Sequence, residues 1–164
     1  MQAFVNQCTV YLSVEYKTNL TLTGMNKLHQ IIHAYGLRKT RCRTEVLNLF
    51  LENKHALAHA AIEQQLGSQY DRVTLYRTLH SFEEKGLLHS INDGGGAVKY
   101  ALCKEACSQH QHHDNHVHFS CTSCGQTYCI NEVHIPPLRM PAGYQVKELH
   151  FSAQGICDNC SKAS

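Results

Sequence analysis

No run of apolar residues in this 164-residue chain is long enough to cross a bilayer. The basic patch that opens a secretory leader is also missing from the first residues, where Glu15 and Lys17 interrupt any apolar run. Both absences point to a chain kept in a reducing cytoplasm, with no membrane partner. Proline is scarce, and all three fall at 136, 137 and 141, so any helix after Cys129 must be short or broken. Also lacking is an HExxH motif, or an HxE with a downstream CxxC, in which a zinc ion keeps an open coordination position beside a general base. Without them, neither catalysis nor a small-molecule substrate is expected. What the chain does have in quantity is cysteine and histidine, nine and thirteen respectively. In a reducing compartment, CxxC pairs among many His point to metal and not to disulfides. The length allows one medium domain or two small ones, and small ones need a staple to be stable.

Net charge is only +2, but its distribution is informative. Residues 25–90 carry nine Lys/Arg against six Asp/Glu, while residues 91–164 carry five against six. The basic half is therefore the half to test for nucleic acid.

Met25 to Tyr35 puts Leu28, Ile31, Ile32 and Tyr35 on one helical face, with Gly36 as its stop. A basic stretch follows, and Val46, Leu47, Phe50 and Leu51 mark a second helix with Thr40 as N-cap. Ala58, Ala61, Ile62 and Leu66 mark a third, ended by Gly67. Asp71 caps a fourth, which lines up Leu75, Leu79 and Phe82 on one face and Thr74, Arg77, His80 and Ser81 on the other, with Tyr76 between. Two strands, Leu87 to Ile91 and Val98 to Leu102, surround Asn92-Asp93-Gly94-Gly95-Gly96. Helices followed by a hairpin describe a winged helix-turn-helix. The expected class is α+β: a winged helix-turn-helix at residues 25–102, then a small α/β dimerisation domain with a structural zinc site at residues 103–164. Residues 1–24 form an extension without charge pattern or ligand set, dispensable to both, and Met25 is a candidate start.

Cys121-Thr-Ser-Cys124-Gly125 and Cys157-Asp-Asn-Cys160 are two CxxC pairs, 32 residues apart. Each presents two thiolates from a tight turn, and the four complete a tetrahedral zinc site that clamps a whole subdomain. The competing reading is a pair of redox dithiols or unrelated buried cysteines. In His116-Val117-His118-Phe119 both imidazoles share one strand face. If Cys121 to Cys124 is the turn of a hairpin, partner numbers sum to about 245 and Cys129 faces His116, within about 5.5 Å. Cys129 reads equally as a small buried apolar side chain. His110, His112 and His113 read as a solvated His-rich loop as readily as ligands, and Cys103 and Cys107 lie in the same region.

An amphipathic helix alone is weak evidence for DNA binding. The ordered set of a preceding helix, a short turn, the basic segment 38–43, a fourth helix and a glycine-rich hairpin is stronger. In such an arrangement the fourth helix enters the major groove, Arg38, Arg41 and Arg43 meet phosphates, Thr74 and Tyr76 lie toward the bases, and Arg77 reads a guanine or holds a phosphate.

Gly36-Leu37-Arg38-Lys39-Thr40 with Arg43, then Thr74-Leu75-Tyr76-Arg77-Thr78-Leu79, His116-x-His118-x-x-Cys121-x-x-Cys124-Gly125 and Gly155-Ile156-Cys157-x-x-Cys160 occur together in this order. Through them, about residues 25–160 resemble the ferric uptake regulator family of iron, zinc and peroxide sensors. The resemblance implies a cytoplasmic homodimer on double-stranded DNA with a pseudo-palindromic operator. It also implies a structural Zn2+ on Cys121, Cys124, Cys157 and Cys160. A second divalent ion, Zn2+ or Fe2+, sits at the hinge on His55, His116 and His118, with Cys129 as fourth ligand; His55 comes from the resemblance alone. The family usually places a carboxylate where Cys129 stands, which makes the site softer than an iron site. Tyr100-Ala-Leu-Cys103 is similar to a segment that supplies a Cys ligand in zinc-sensing members. The expected function is a metal-dependent repressor of metal-homeostasis genes. The alternatives are a peroxide sensor of the same fold or, from another class, a zinc enzyme or metal buffer.

Overall fold

The computed structural model describes residues 22–103, 116–133, 135–136, 139–146 and 149–163. Cys107, His110, His112 and His113 lie outside them, as does most of the expected N-terminal extension. The elements run α1 (Leu22–Ala34), α2 (Arg41–Glu52), β1 (Leu57–Ala58), α3 (His59–Leu66), a 3-10 turn (Gly67–Gln69), α4 (Arg72–Glu84), β2 (Leu88–Ile91), β3 (Lys99–Leu102), β4 (Val117–Cys121), β5 (Thr127–Ile130), β6 (Ser152–Gly155) and α5 (Asp158–Lys162).

Two caps set the helices that matter most for the site. Thr40 stays extended and its side chain accepts from Arg43 N, which starts α2. Asp71 accepts from Thr74 N at 2.8 Å and Thr74 Oγ1 at 2.7 Å, which starts α4. α1 begins at Leu22, inside the expected extension, so a chain starting at Met25 would lose its first residues. The third helix begins at His59, one residue later than the apolar pattern suggests. Leu57 and Ala58 pair instead with Tyr100 and Lys99 of β3, and Ala58 is held extended.

The four helices close on Ile32, Val46, Leu47, Ile62, Leu75, Leu79 and Phe82, each at 0% exposure. Every such side chain contributes roughly 1.5–3 kcal/mol by leaving water. The β1-β3-β2 sheet covers this core with Leu57 and Leu88. The second sheet, β5-β4-β6, is poorer in apolar cover. Among the described residues after 103, the buried side chains are Cys121, Cys157, His118 and Thr127, none a large hydrocarbon. Among the described residues this sheet buries little hydrocarbon, and its buried cysteines and histidine are residue types that can ligate metal.

The hairpin register differs from the expected one. Cys129 lies opposite His118, not His116, and Val117 opposite Ile130. The cause is the turn: Cys121 N donates to Gln126 O and Gly125 N to Cys121 O, so the loop is longer than the CxxC itself. Gly125 completes it at φ +70, where a side chain would be strained. β6 runs parallel to β4, with Gly155 beside Cys121. At Gly155 an added Cβ would stand 3.3 Å from Phe119, so the small residue permits the close approach. Among the described residues after Cys129, α5 is the one helix, and it is five residues long.

Candidate metal centre

Alternation along β5 decides what faces what. Thr127 and Cys129 point toward the β1-β3-β2 sheet, and Tyr128 points away. On the inward face, Cys129 packs with Ala56, Ile91 and Ala101. Beside it Thr127 Oγ1 donates to Asp93 Oδ2 at 2.6 Å, and Lys99 Nζ lies 2.7 Å from that same oxygen. Lys99 also donates to Gly125 O at 2.8 Å and to Thr127 Oγ1 at 2.9 Å, while Ala56 N donates to Thr127 O at 2.8 Å. These bonds tie the first hairpin and β1 to the turn that carries Cys121 and Cys124. Burial alone raises a carboxyl, but the Lys99 ammonium, the Thr127 hydroxyl and the Gly95 N–H outweigh it and hold Asp93 at about 2.

Next to this lock the two sheets bring together His89, His116, His118 and Cys129, with one donor atom from each lying within 4.8 Å of all the others. His89 stands on β2 at 2% exposure and His118 on β4 at 7%. His89 Nε2 is 3.3 Å from His118 Nε2 and 3.5 Å from Cys129 Sγ. A tetrahedral ion with metal–nitrogen bonds of about 2.05 Å and metal–sulfur bonds of about 2.3 Å sets N···N edges of about 3.3 Å and N···S edges of about 3.5 Å. The observed spacings fit.

The second group is Cys121, Cys124, Cys157 and Cys160. Cys124 and Cys157 sulfurs are 3.9 Å apart, against about 3.8 Å for two thiolates on one tetrahedral zinc. Backbone N–H groups of Cys124 and Cys157 hold the Cys121 thiol down at about 6, and the Cys160 N–H lowers Cys157. Donors already aimed at Cys121 and Cys157 favour the thiolates that a metal requires, whereas at Cys160 the Ser123 hydrogen bond is outweighed by the neighbouring sulfurs and burial, which push it up to about 12.

His55 is not brought into either group. Its Nδ1 lies 3.1 Å from Ala56 O, and its ring meets Tyr128 edge-on at 6.3 Å. Because Ala56 is pinned to Thr127 O, His55 falls on the outward face of β5, opposite to Cys129. His89, absent from the sequence-based set, supplies the cross-sheet donor instead. Its one signal in the sequence is a polar residue inside Leu87-Leu88-His89-Ser90-Ile91, and such a lone histidine usually satisfies a core hydrogen bond.

The basic residues divide. Arg38 and Arg77 are exposed, as is Tyr76 at 58%. Arg41 is exposed too, paired with Glu45 at 2.7 Å. Arg43 turns inward, donating to Arg38 O at 2.8 Å and Ser81 Oγ at 3.3 Å, so it braces α2 against α4. Thr74 is half-buried, with its hydroxyl committed to the Asp71 cap.

The family model for the ferric uptake regulator family matches residues 34–143. The chain belongs to that family. A ferric uptake regulation protein of Staphylococcus epidermidis is 29% identical over 141 residues, covering 84% of this chain and 96% of that protein. One from Staphylococcus aureus is 27% identical over 139 residues, covering 82% and 96%. A zinc uptake regulator complexed with zinc and DNA superposes with a TM-score of 0.61 at 19% identity, covering 89% of this chain and 98% of that one. The Helicobacter pylori ferric uptake regulator, described as having three functional metal binding sites, superposes at 0.53 and 16% identity, covering 88% and 97%. These likenesses show a fold shared with ferric and zinc uptake regulators, and family membership makes the chain a metal-responsive regulator. No helix among the described residues is long and apolar enough to cross a membrane.

Proposed function

We propose that this regulator is a cytoplasmic, zinc-sensing repressor of metal-homeostasis genes that binds a pseudo-palindromic operator as a homodimer. Its N-terminal unit, residues 25–102, is a winged helix whose α4 reads DNA, and residues 103–164 form the metal-binding dimerisation unit. A structural Zn2+ is held by Cys121, Cys124, Cys157 and Cys160. The regulatory ion is held by His89, His116, His118 and Cys129, which replaces the expectation that His55 closes the hinge.

The observation that carries this reading is the convergence of four donors within 4.8 Å of one another, His89 from β2 and His116, His118 and Cys129 from the other sheet, with the His89–His118 and His89–Cys129 edges at tetrahedral length. A cation held there favours only the arrangement in which all four ligands converge, so occupancy biases the angle between the two units. Three imidazoles and a thiolate, without a carboxylate, suit zinc better than iron. Four protein ligands leave no open position for a substrate, which argues against a zinc enzyme, and Cys129 gives the peroxide-sensing alternative no support. Exposed Tyr76 and Arg77 on α4 suit base contact, and exposed Arg38 and Arg41 suit phosphates. The zinc uptake regulator that shares this fold is described as complexed with zinc and DNA, which supports DNA as the partner.

The test is to titrate Zn2+, Fe2+ and Mn2+ into protein carrying only its structural zinc and follow binding to a duplex selected from random sequence. Zinc-dependent, salt-sensitive binding supports the reading. Binding indifferent to all three metals, or responsive to Fe2+ alone, contradicts it.

A further inference from the structure

We propose that Asp93, Lys99 and Thr127 are positioning residues that clasp the hinge without an ion, hold His89 against His118 and Cys129, and so set the metal concentration at which the regulator responds. This rests on the reading above that His89, His116, His118 and Cys129 hold the regulatory ion.

The clasp consists of hydrogen bonds that cross between the two units. Thr127 Oγ1 donates to Asp93 Oδ2 at 2.6 Å and accepts from Lys99 Nζ at 2.9 Å. Lys99 Nζ also donates to Gly125 O, and Ala56 N donates to Thr127 O, both at 2.8 Å. Thr127 is 0% exposed, and the side chains of Lys99 and Asp93 are 18% and 5% exposed. Lys99 and Asp93 stand 2.7 Å apart and balance each other's charge, so the set is complete without a cation. A hydrogen bond to a charged group in such a place favours the closed arrangement by roughly 10–150-fold.

Clasp and metal centre bridge the same pair of strands. Thr127 and Cys129 share one face of β5, while His89 lies within β2 and Asp93 just past its end. His89 Nε2 is 3.5 Å from Cys129 Sγ, alongside the Asp93–Thr127 bond, and joining one pair brings the other to ligand distance. An ion that binds only the closed arrangement has an apparent affinity scaled by the fraction of molecules already closed. The clasp raises that fraction and touches no ligand atom in doing so. Loosening it should therefore weaken metal binding without altering the ligand set, and a saturating ion should restore the closed arrangement in full.

The experiment uses full-length protein with its four-cysteine zinc in place, as wild type, Thr127→Val and Asp93→Asn. The asparagine keeps an acceptor for the Gly95 N–H that bonds Asp93 Oδ1 at 3.0 Å, so the glycine loop is preserved. Amide exchange at Ala56 before a second ion is added reads opening of the hinge, because that bond crosses it. Co2+ affinity and the cobalt spectrum of the second site read the ligands, and binding of the selected duplex at saturating Co2+ reads the loaded state. The expected results are an Ala56 amide protected in wild type and less so in both variants, by roughly 10–150-fold, with the amides of α4 unchanged. Cobalt affinity falls in both variants with the spectrum intact, and duplex affinity at saturating cobalt stays at the wild-type value. Unchanged Ala56 protection or unchanged cobalt affinity overturns the proposal. So does an altered spectrum, which would place the effect on the ligands, or a lower duplex affinity at saturating cobalt, which would place it in the glycine loop. Wild type that takes up no second ion overturns the metal-centre reading itself, and Ala56 exchange then still decides whether the clasp holds the hinge.

Discussion

Removing the charge at Asp93 tests how the two sheets are locked together. The carboxylate is 5% exposed and sits 2.7 Å from Lys99 Nζ. Its neighbours lower it from 3.8 to about 2, against a burial effect that acts the other way. At about 1.4 kcal/mol per unit, the ionised form is favoured in the folded state by about 2 kcal/mol. A double-mutant cycle of Asp93→Asn and Thr127→Val, which joins a residue of each sheet, read by urea unfolding of zinc-loaded protein at pH 7, should return a coupling of about 1.5–3 kcal/mol, the range of a hydrogen bond to a charged group. The sign of the pH dependence follows from the depressed value: the contribution is complete above the ordinary carboxylate value and is lost as pH falls from about 4 through about 2. The coupling should therefore be the same at about pH 5 as at about pH 7. A coupling below about 0.5 kcal/mol, typical of a solvated surface pair, would refute the lock, and so would one that fades between those two pH values.

Cys121→Ser or Cys157→Ser should lose one zinc per chain by metal analysis and with it the ordered β5-β4-β6 sheet, seen as lost amide protection from Val117 to Gly155. Tyr76→Ala and Arg77→Ala should each weaken binding to the selected duplex by about 1–3 kcal/mol with stability unchanged; a loss confined to the salt slope would make Arg77 a phosphate contact. Arg43→Ala should lower stability by about 1–2 kcal/mol in denaturant, because it removes the bonds to Arg38 O and Ser81 Oγ. An unchanged stability with a reduced salt slope would instead place Arg43 on the DNA backbone.

The readable parts of this chain are those governed by local rules. Thr40 and Asp71 cap helices because their side chains reach amides within the same turn, and the apolar spacing of Leu75, Leu79 and Phe82 reports the core. The two CxxC pairs announce a four-sulfur cluster through their local spacing. What escaped depends on distant pairings. The turn after Cys121 is longer than its motif, which shifts the register so that Cys129 meets His118. β6, formed by Ser152-Ala-Gln-Gly155, has little strand propensity of its own and forms because it pairs with β4 on the way to Cys157. His89 stands 29 residues from His118 in sequence, and no spacing rule links them until both sheets are in place.

Zinc-dependent binding of the selected duplex, compared between His89→Ala and His55→Ala in protein that retains its four-cysteine zinc, tests the central claim most directly. A metal centre built on His89 predicts that His89→Ala abolishes the zinc response while His55→Ala keeps it. A full response in His89→Ala, with its loss in His55→Ala, would contradict the assignment and return the hinge ligand to the position before β1.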